Sequence, residues 1–286
     1  GARQVGKTWL MREFGKKEFG QTAYFNFEIN KALHSIFKSG FDTGKIISSL
    51  NIVAGFKIEP SNTLIILDEI QACPEAITSL KYFQENSPEY NIFAAGSLLG
   101  VAIHGGVSFP VGKVDFLTVF PLDFPEFLDA MGHSQLSAAL ESGDTALIEN
   151  FNDLLIDLLK QYYFIGGMPE VVNSFIKDLD YHHAREIQDN ILTAYENDFS
   201  KHAPISQLPR IRMIWQSIVG QLAKENSKFI YSILRKGSRA KEFELSIEWL
   251  KDAGLIQKVI RVSKPGLPVS AYADWSDFKI YLNDVG

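Results

Sequence analysis

The first eight residues, Gly1-Ala2-Arg3-Gln4-Val5-Gly6-Lys7-Thr8, spell G-x-x-x-x-G-K-T, and nothing else in the 286-residue chain restricts its fold as tightly. Two glycines let the backbone wrap closely enough for its N–H groups to point at phosphate, and the helix that starts behind them adds partial positive charge. In such a loop Lys7 reaches the β and γ phosphates and Thr8 offers its hydroxyl to magnesium. The competing interpretation is a glycine turn that only caps a helix, so the motif needs a partner elsewhere in the chain. Trp9 to Phe14 continue in good helix formers, with Gly15 expected as the C-terminal cap.

The partner is Asp68-Glu69. Thr63 to Leu67 is an unbroken β-branched and leucine run, the pattern of a strand buried on both faces of a parallel sheet, and the two acids stand at its tip. Phosphoryl transfer needs a carboxylate near the metal, a role that falls to Asp68, while Glu69 is placed to polarise an attacking water as general base. Ser97, at the end of the next strand, is a weaker candidate for sensing the γ phosphate, because serine at a strand end also forms turns.

Around these motifs the spacing predicts strands over Ala23 to Glu28, Asn91 to Gly96 (buried) and Val114 to Phe120. It predicts helices over Lys31 to Lys38, from Asp42 (as N-cap) to Val53, from Pro74 onward, and over Pro125 to Met131. Strands alternating with helices imply a doubly wound α/β sheet with its site at the carboxyl ends of the strands. Beyond it, Leu147, Phe151, Leu154 and Leu158 step as one long helix from Ser142 to Tyr163. Gly166-Gly167-Met168-Pro169 breaks it, and Glu170 to His202 is helical again.

Charge divides the chain. Residues 1–200 carry 14 Lys and Arg against 26 Asp and Glu, whereas residues 201–286 carry 14 against 8. Two parts with different partners are expected. The basic part orders as helix (Leu208 to Leu222), short apolar strand (Phe229 to Leu234), turn, helix (Arg239 to Ala253) and strand (Leu255 to Val262), with a turn at Lys264-Pro265-Gly266. That is the order of a winged helix. Arg239, Lys241 and Lys251 on its second helix, with Lys258, Arg261 and Lys264 on the wing, are suited to phosphate contacts with DNA. Glu242, Glu244 and Glu248 on the same helix argue for docking a protein instead.

Other chemistries find no support. The six histidines form no i, i+4 pair for zinc, there is no G-x-S-x-G elbow, and Ser35 to Lys38 is an S-x-x-K without its companions. No N-K-x-D specifies guanine, so ATP is favoured over GTP. The single cysteine, Cys73, and the absence of a leader-like start read as a reducing, cytoplasmic setting. Tyr90 to Gly112 lacks charge but holds five glycines, so a buried strand and site loop fit it better than a membrane span.

Taken together, the loop, Leu67 to Gln71 (Leu-Asp-Glu-Ile-Gln), Ala95 to Leu99, Phe109 to Val114, Phe120 to Leu122, Phe124 to Leu128, Gly166 to Val172 and Gln221 to Asn226 resemble prokaryotic AAA-family P-loop ATPases with an uncharacterised C-terminal domain. The resemblance implies an AAA-like P-loop core over residues 1–130, a helical segment over 131–203, and a winged helix over 204–275. Residues 276–286 would then start a further, nuclease-like domain. It also implies a strand before the loop, so the chain looks truncated at both ends. By position it carries nucleotide binding to Gly1 through Thr8, the metal carboxylate to Asp68, the catalytic acid to Glu69 and the sensor to Ser97. The arginine finger stays unassigned: Lys113 stands where relatives often have arginine, and Arg3, Arg185, Arg210 or a neighbouring subunit of an oligomer could provide one. The expected function is magnesium-dependent ATP hydrolysis coupled to DNA or a protein partner. A switch that binds ATP without turnover is the alternative, and a small-molecule kinase fits less well because no acceptor pocket is identifiable.

Overall fold

The strand from Thr63 to Asp68 is buried at all six positions, and the N-terminal unit is assembled around it. The computed structural model describes residues 2–96 and 112–286. Residues 6–119 form one compact unit, and residues 2–5 with 120–286 form a second. Four residues of the glycine loop thus group with the second unit.

In the first unit the described elements are α1 (Lys7–Glu18), β1 (Gln21–Asn26), α2 (Lys31–Lys38), α3 (Thr43–Ala54), β2 (Thr63–Asp68), α4 (Pro74–Asn86) and β3 (Asn91–Ala94). β1 and β3 flank β2, all three parallel, with Asn26 opposite Asp68 and Leu67 opposite Ala94. Alternation sends Ala23, Phe25, Ile65 and Leu67 into a core with residues of α2, α3 and α4. On the other face the chain meets α1: a Cβ on Gly15 would collide with Thr22 Oγ1 and crowd Leu64. This gives helices on both faces of a parallel sheet, as expected.

Local chemistry explains the helix limits. Asp42 caps α3 by accepting from the Lys45 N–H, and Pro74 occupies the first turn of α4. Gly15 does not end α1, which runs on to Glu18; glycine is there because the helix passes so close to β1. β3 alternates between exposed and half-buried rather than being buried, because among the described residues no strand lies beyond it. Residues 115–120 form no strand; Lys113 to Leu117 instead line an apolar groove with α4 and β3.

The second unit contains α5 (Phe124–Ala130), α6 (Ser134–Ser142), α7 (Thr145–Asn150), α8 (Asn152–Ile165), α9 (Pro169–Asp178), α10 (Tyr181–His202), α11 (Leu208–Leu222), α12 (Tyr231–Leu234), α13 (Ala240–Asp252), β4 (Ile256–Val262) and β5 (Ala273–Leu282). The long helix expected from Ser142 to Tyr163 is broken. Gly143 turns left-handed, Asp144 caps α7, and Leu147, Phe151 and Leu154 are exposed. Phe229 to Leu234 is not a strand: Tyr231 to Leu234 is helical, and the Phe229 N–H donates to the Phe278 carbonyl. β4 and β5 pair antiparallel, so the boundary expected at 276 falls inside β5.

Gly166-Gly167 earns its place by close approach. The Gly167 carbonyl accepts from the Leu122 N–H, and a Cβ on Gly167 would overlap the Leu122 carbonyl oxygen. Gly167→Ala is expected to destabilise the second unit by about 1–3 kcal/mol, read as a lower urea midpoint. The Gly167 N–H donates to Asp284 Oδ1 at 2.7 Å. Burial pushes the Asp284 carboxyl above its ordinary value, so the native chain keeps that proton at a pH where the unfolded chain has lost it. Stability is therefore full below the unfolded carboxylate value near 3.8 and declines as pH rises through the higher native value. Asp284→Asn keeps an acceptor for Gly167 and is expected to flatten that decline in urea titrations at successive pH.

Candidate functional site

Gly6 sits at φ 82°, a left-handed conformation that glycine adopts without strain, and it turns the chain into α1. Lys7 and Thr8 are then the first two residues of the helix, where backbone N–H groups lack intrahelical partners and favour an anion. Thr8 Oγ1 donates to Asp68 Oδ2 at 2.8 Å, joining the loop to the tip of β2 across sixty positions of sequence. Asp68 is only 4% exposed. Its carboxylate also accepts from Tyr24 Oη at 2.7 Å on the same oxygen and from the Glu69 N–H at 3.0 Å on Oδ1.

All three donors are neutral. A cation placed beside a buried carboxylate held by such donors is favoured. The oxygens at hand, a carboxylate and a hydroxyl 2.8 Å apart, are hard ligands of the kind magnesium takes in ones and twos, with phosphates and water completing its shell. The residues present thus fit magnesium. No group of three or more His, Cys, Asp or Glu side chains that could hold a metal occurs among the described residues.

Glu69 follows at φ 52°, left-handed and unusual for a side chain of its size. This turn lets the Ile70 N–H donate to the Ala95 carbonyl, and Gln71 Nε2 donates to Glu69 Oε2 at 2.5 Å. Burial, first of all, raises the Tyr24 phenol above its ordinary value, so the hydroxyl stays protonated and donates to Asp68.

The structure therefore brings Thr8, Asp68 and Glu69 together with the start of α1. Gly1 and Ser97 lie outside the described residues. Within the second unit Ala2 and Val5 are buried, Gln4 is left-handed, Arg3 pairs with Asp198, and the Arg3 carbonyl accepts from Tyr195 Oη at 3.0 Å. The other arginine-finger candidates are engaged locally, Arg185 with Asp189 and Arg210 with the Ser206 carbonyl; Lys113 pairs with Glu85. Tyr24, Asn26 and Gln71 were not expected at the site. The signal for the first two is their i, i+2 spacing on β1, which puts both on the face that α1 covers.

A glycine loop opening a helix over a parallel sheet, with its threonine bonded to a strand-end aspartate, defines the P-loop ATPase fold. Residues 1–128 match the family described as AAA domain, and residues 156–286 match a domain of unknown function, DUF8612. The Walker-type ATPase of Pyrococcus abyssi superposes with a TM-score of 0.58 at 14% identity, over 99% of this chain and 87% of that one. The ORC2 protein of Aeropyrum pernix, in ADPNP and ADP complexes, gives 0.48 at 14% identity over 98% and 81%. No curated protein matches the sequence. The first likeness is one of fold. Among the described residues, no helix is long and apolar enough to cross a membrane.

Proposed function

We propose that the N-terminal domain binds ATP with magnesium and hydrolyses it, and that this cycle acts on a partner held by the basic C-terminal part. The observation that carries this reading is the hydrogen bond from Thr8 to Asp68, which unites the loop with the one buried acid at the strand tip. Magnesium, when bound, would neutralise charge on the β and γ phosphate oxygens. Lys7 and the loop N–H groups would bind those oxygens, Thr8 and Asp68 would hold the metal, and Glu69 would orient a water and take its proton. Ser97 remains the proposed sensor.

For the partner, we take residues 204–275 as a winged-helix-like module that contacts duplex DNA through its excess of lysine and arginine. Phosphate release measured with and without duplex DNA across a salt series tests it. Stimulation that fades with salt is expected; indifference to DNA would overturn the DNA contact. One observation favours protein docking instead: Lys228 and Arg261 both pair with Asp277, Arg235 with Glu242 and Lys251 with Glu248, which cancels much of the positive charge locally. A second reading of the cycle itself, an ATP switch with little turnover, draws on the Gln71 contact that occupies the Glu69 carboxylate.

A further inference from the structure

Asp68 does not stand alone at the tip of β2; a directed chain of hydrogen bonds from β1 ends on it. Asn26 Oδ1 accepts from the Glu28 and Ile29 N–H groups at 2.9 and 3.0 Å. Those two donors fix which end of the amide is which, so Nδ2 faces Tyr24 Oη, at 3.4 Å. With its lone pair met by an N–H donor, the phenol turns its own proton to Asp68 Oδ2, at 2.7 Å. The ring is held in turn by Arg12 of α1, whose guanidinium carbon lies 3.8 Å from the ring centroid. β1 and α1 thus converge on one carboxylate oxygen, Tyr24 donating to it from the strand and Thr8 from the helix.

We propose that Tyr24 is a positioning residue for the metal: it fixes the rotamer of Asp68 and so sets how tightly the loaded site retains magnesium. This rests on the nucleotide–magnesium reading given above. An aspartate, with its two side-chain torsions, must be held if a single protein acid is to serve a metal bound mainly by phosphates and water, and outer hydrogen bonds of this kind are worth roughly 10- to 100-fold in metal affinity. The i, i+2 spacing marks the strand face but not the role, since a tyrosine on a half-buried strand face ordinarily packs.

The test uses the full chain and a fluorescent ADP analogue, titrated with magnesium chloride, for the parent protein, Tyr24→Phe and Lys7→Ala. Phenylalanine keeps the ring under Arg12 and loses only the hydroxyl, so the melting temperature is expected to stay close to that of the parent. The magnesium midpoint of Tyr24→Phe is expected to rise about tenfold, while its ADP affinity in EDTA stays unchanged. A purely packing role would leave that midpoint where it was. An unshifted midpoint in a protein that binds ADP normally overturns the positioning role and leaves nucleotide binding intact. If the parent binds the analogue no better than Lys7→Ala, the nucleotide reading falls and takes this inference with it.

Discussion

Lys7→Ala is expected to lower ATP affinity about 100-fold, some 3 kcal/mol, and to abolish hydrolysis. The magnitude follows from what one ammonium does on a phosphate: charge-assisted hydrogen bonds contribute about 1.5–3 kcal/mol each, and a lysine in this loop spans two phosphates. Lys7 is the first residue of α1, half-exposed and outside the core, so alanine, the best helix former, leaves the fold in place. Calorimetric titration with ATP reads the affinity, and an unchanged circular dichroism spectrum certifies the fold. A variant that binds and hydrolyses ATP as the parent does would show that the loop is only a helix cap.

Glu69→Gln separates binding from chemistry. The amide cannot take a proton from water, and losing a general base costs about 10²- to 10⁴-fold in rate. The substitution is nearly isosteric, and Asp68, Thr8 and the helix start are untouched, so ATP affinity should stay within about twofold of the parent. Single-turnover hydrolysis isolates the step. A collapse of the rate with retained binding assigns Glu69 as the base. An unchanged rate, with ATP still altering partner binding, would move the protein to the switch reading, in which Gln71 keeps Glu69 occupied throughout.

Much of this site was legible because its parts are written locally. A phosphate loop is a run of consecutive residues, and a doubly buried strand announces itself by an unbroken apolar run such as Leu64 to Leu67 with its acids at the end. Caps such as Asp42 and the Pro74 helix start are equally local. What escaped reading depends on register. Tyr24 and Asn26 look like ordinary polar positions of a half-exposed strand until parallel pairing sets Asn26 opposite Asp68. Gly15 reads as a cap in sequence and is a contact with Thr22 in space. The helix drawn from Ser142 through Leu147, Phe151 and Leu154 failed because left-handed Gly143 and the Asp144 cap delay its start and Phe151 leaves the helical conformation between α7 and α8, and apolar spacing carries no information about either. The alternation of buried Phe278 and Ile280 with Lys279 and Tyr281 does mark a strand, but the family resemblance drew a boundary through it at 276.

The central claim is that Lys7, Thr8 and Asp68 converge on the terminal phosphates and metal of a bound nucleotide. An experimental structure of the chain saturated with magnesium and a non-hydrolysable ATP analogue tests this most directly. The account predicts the triphosphate at the N-terminal end of α1, with Lys7 Nζ on the β and γ oxygens and the metal about 2 Å from Thr8 Oγ1, Asp68 lying just behind it. A nucleotide bound elsewhere, or an N-terminal end of α1 without phosphate at saturating analogue, would contradict it.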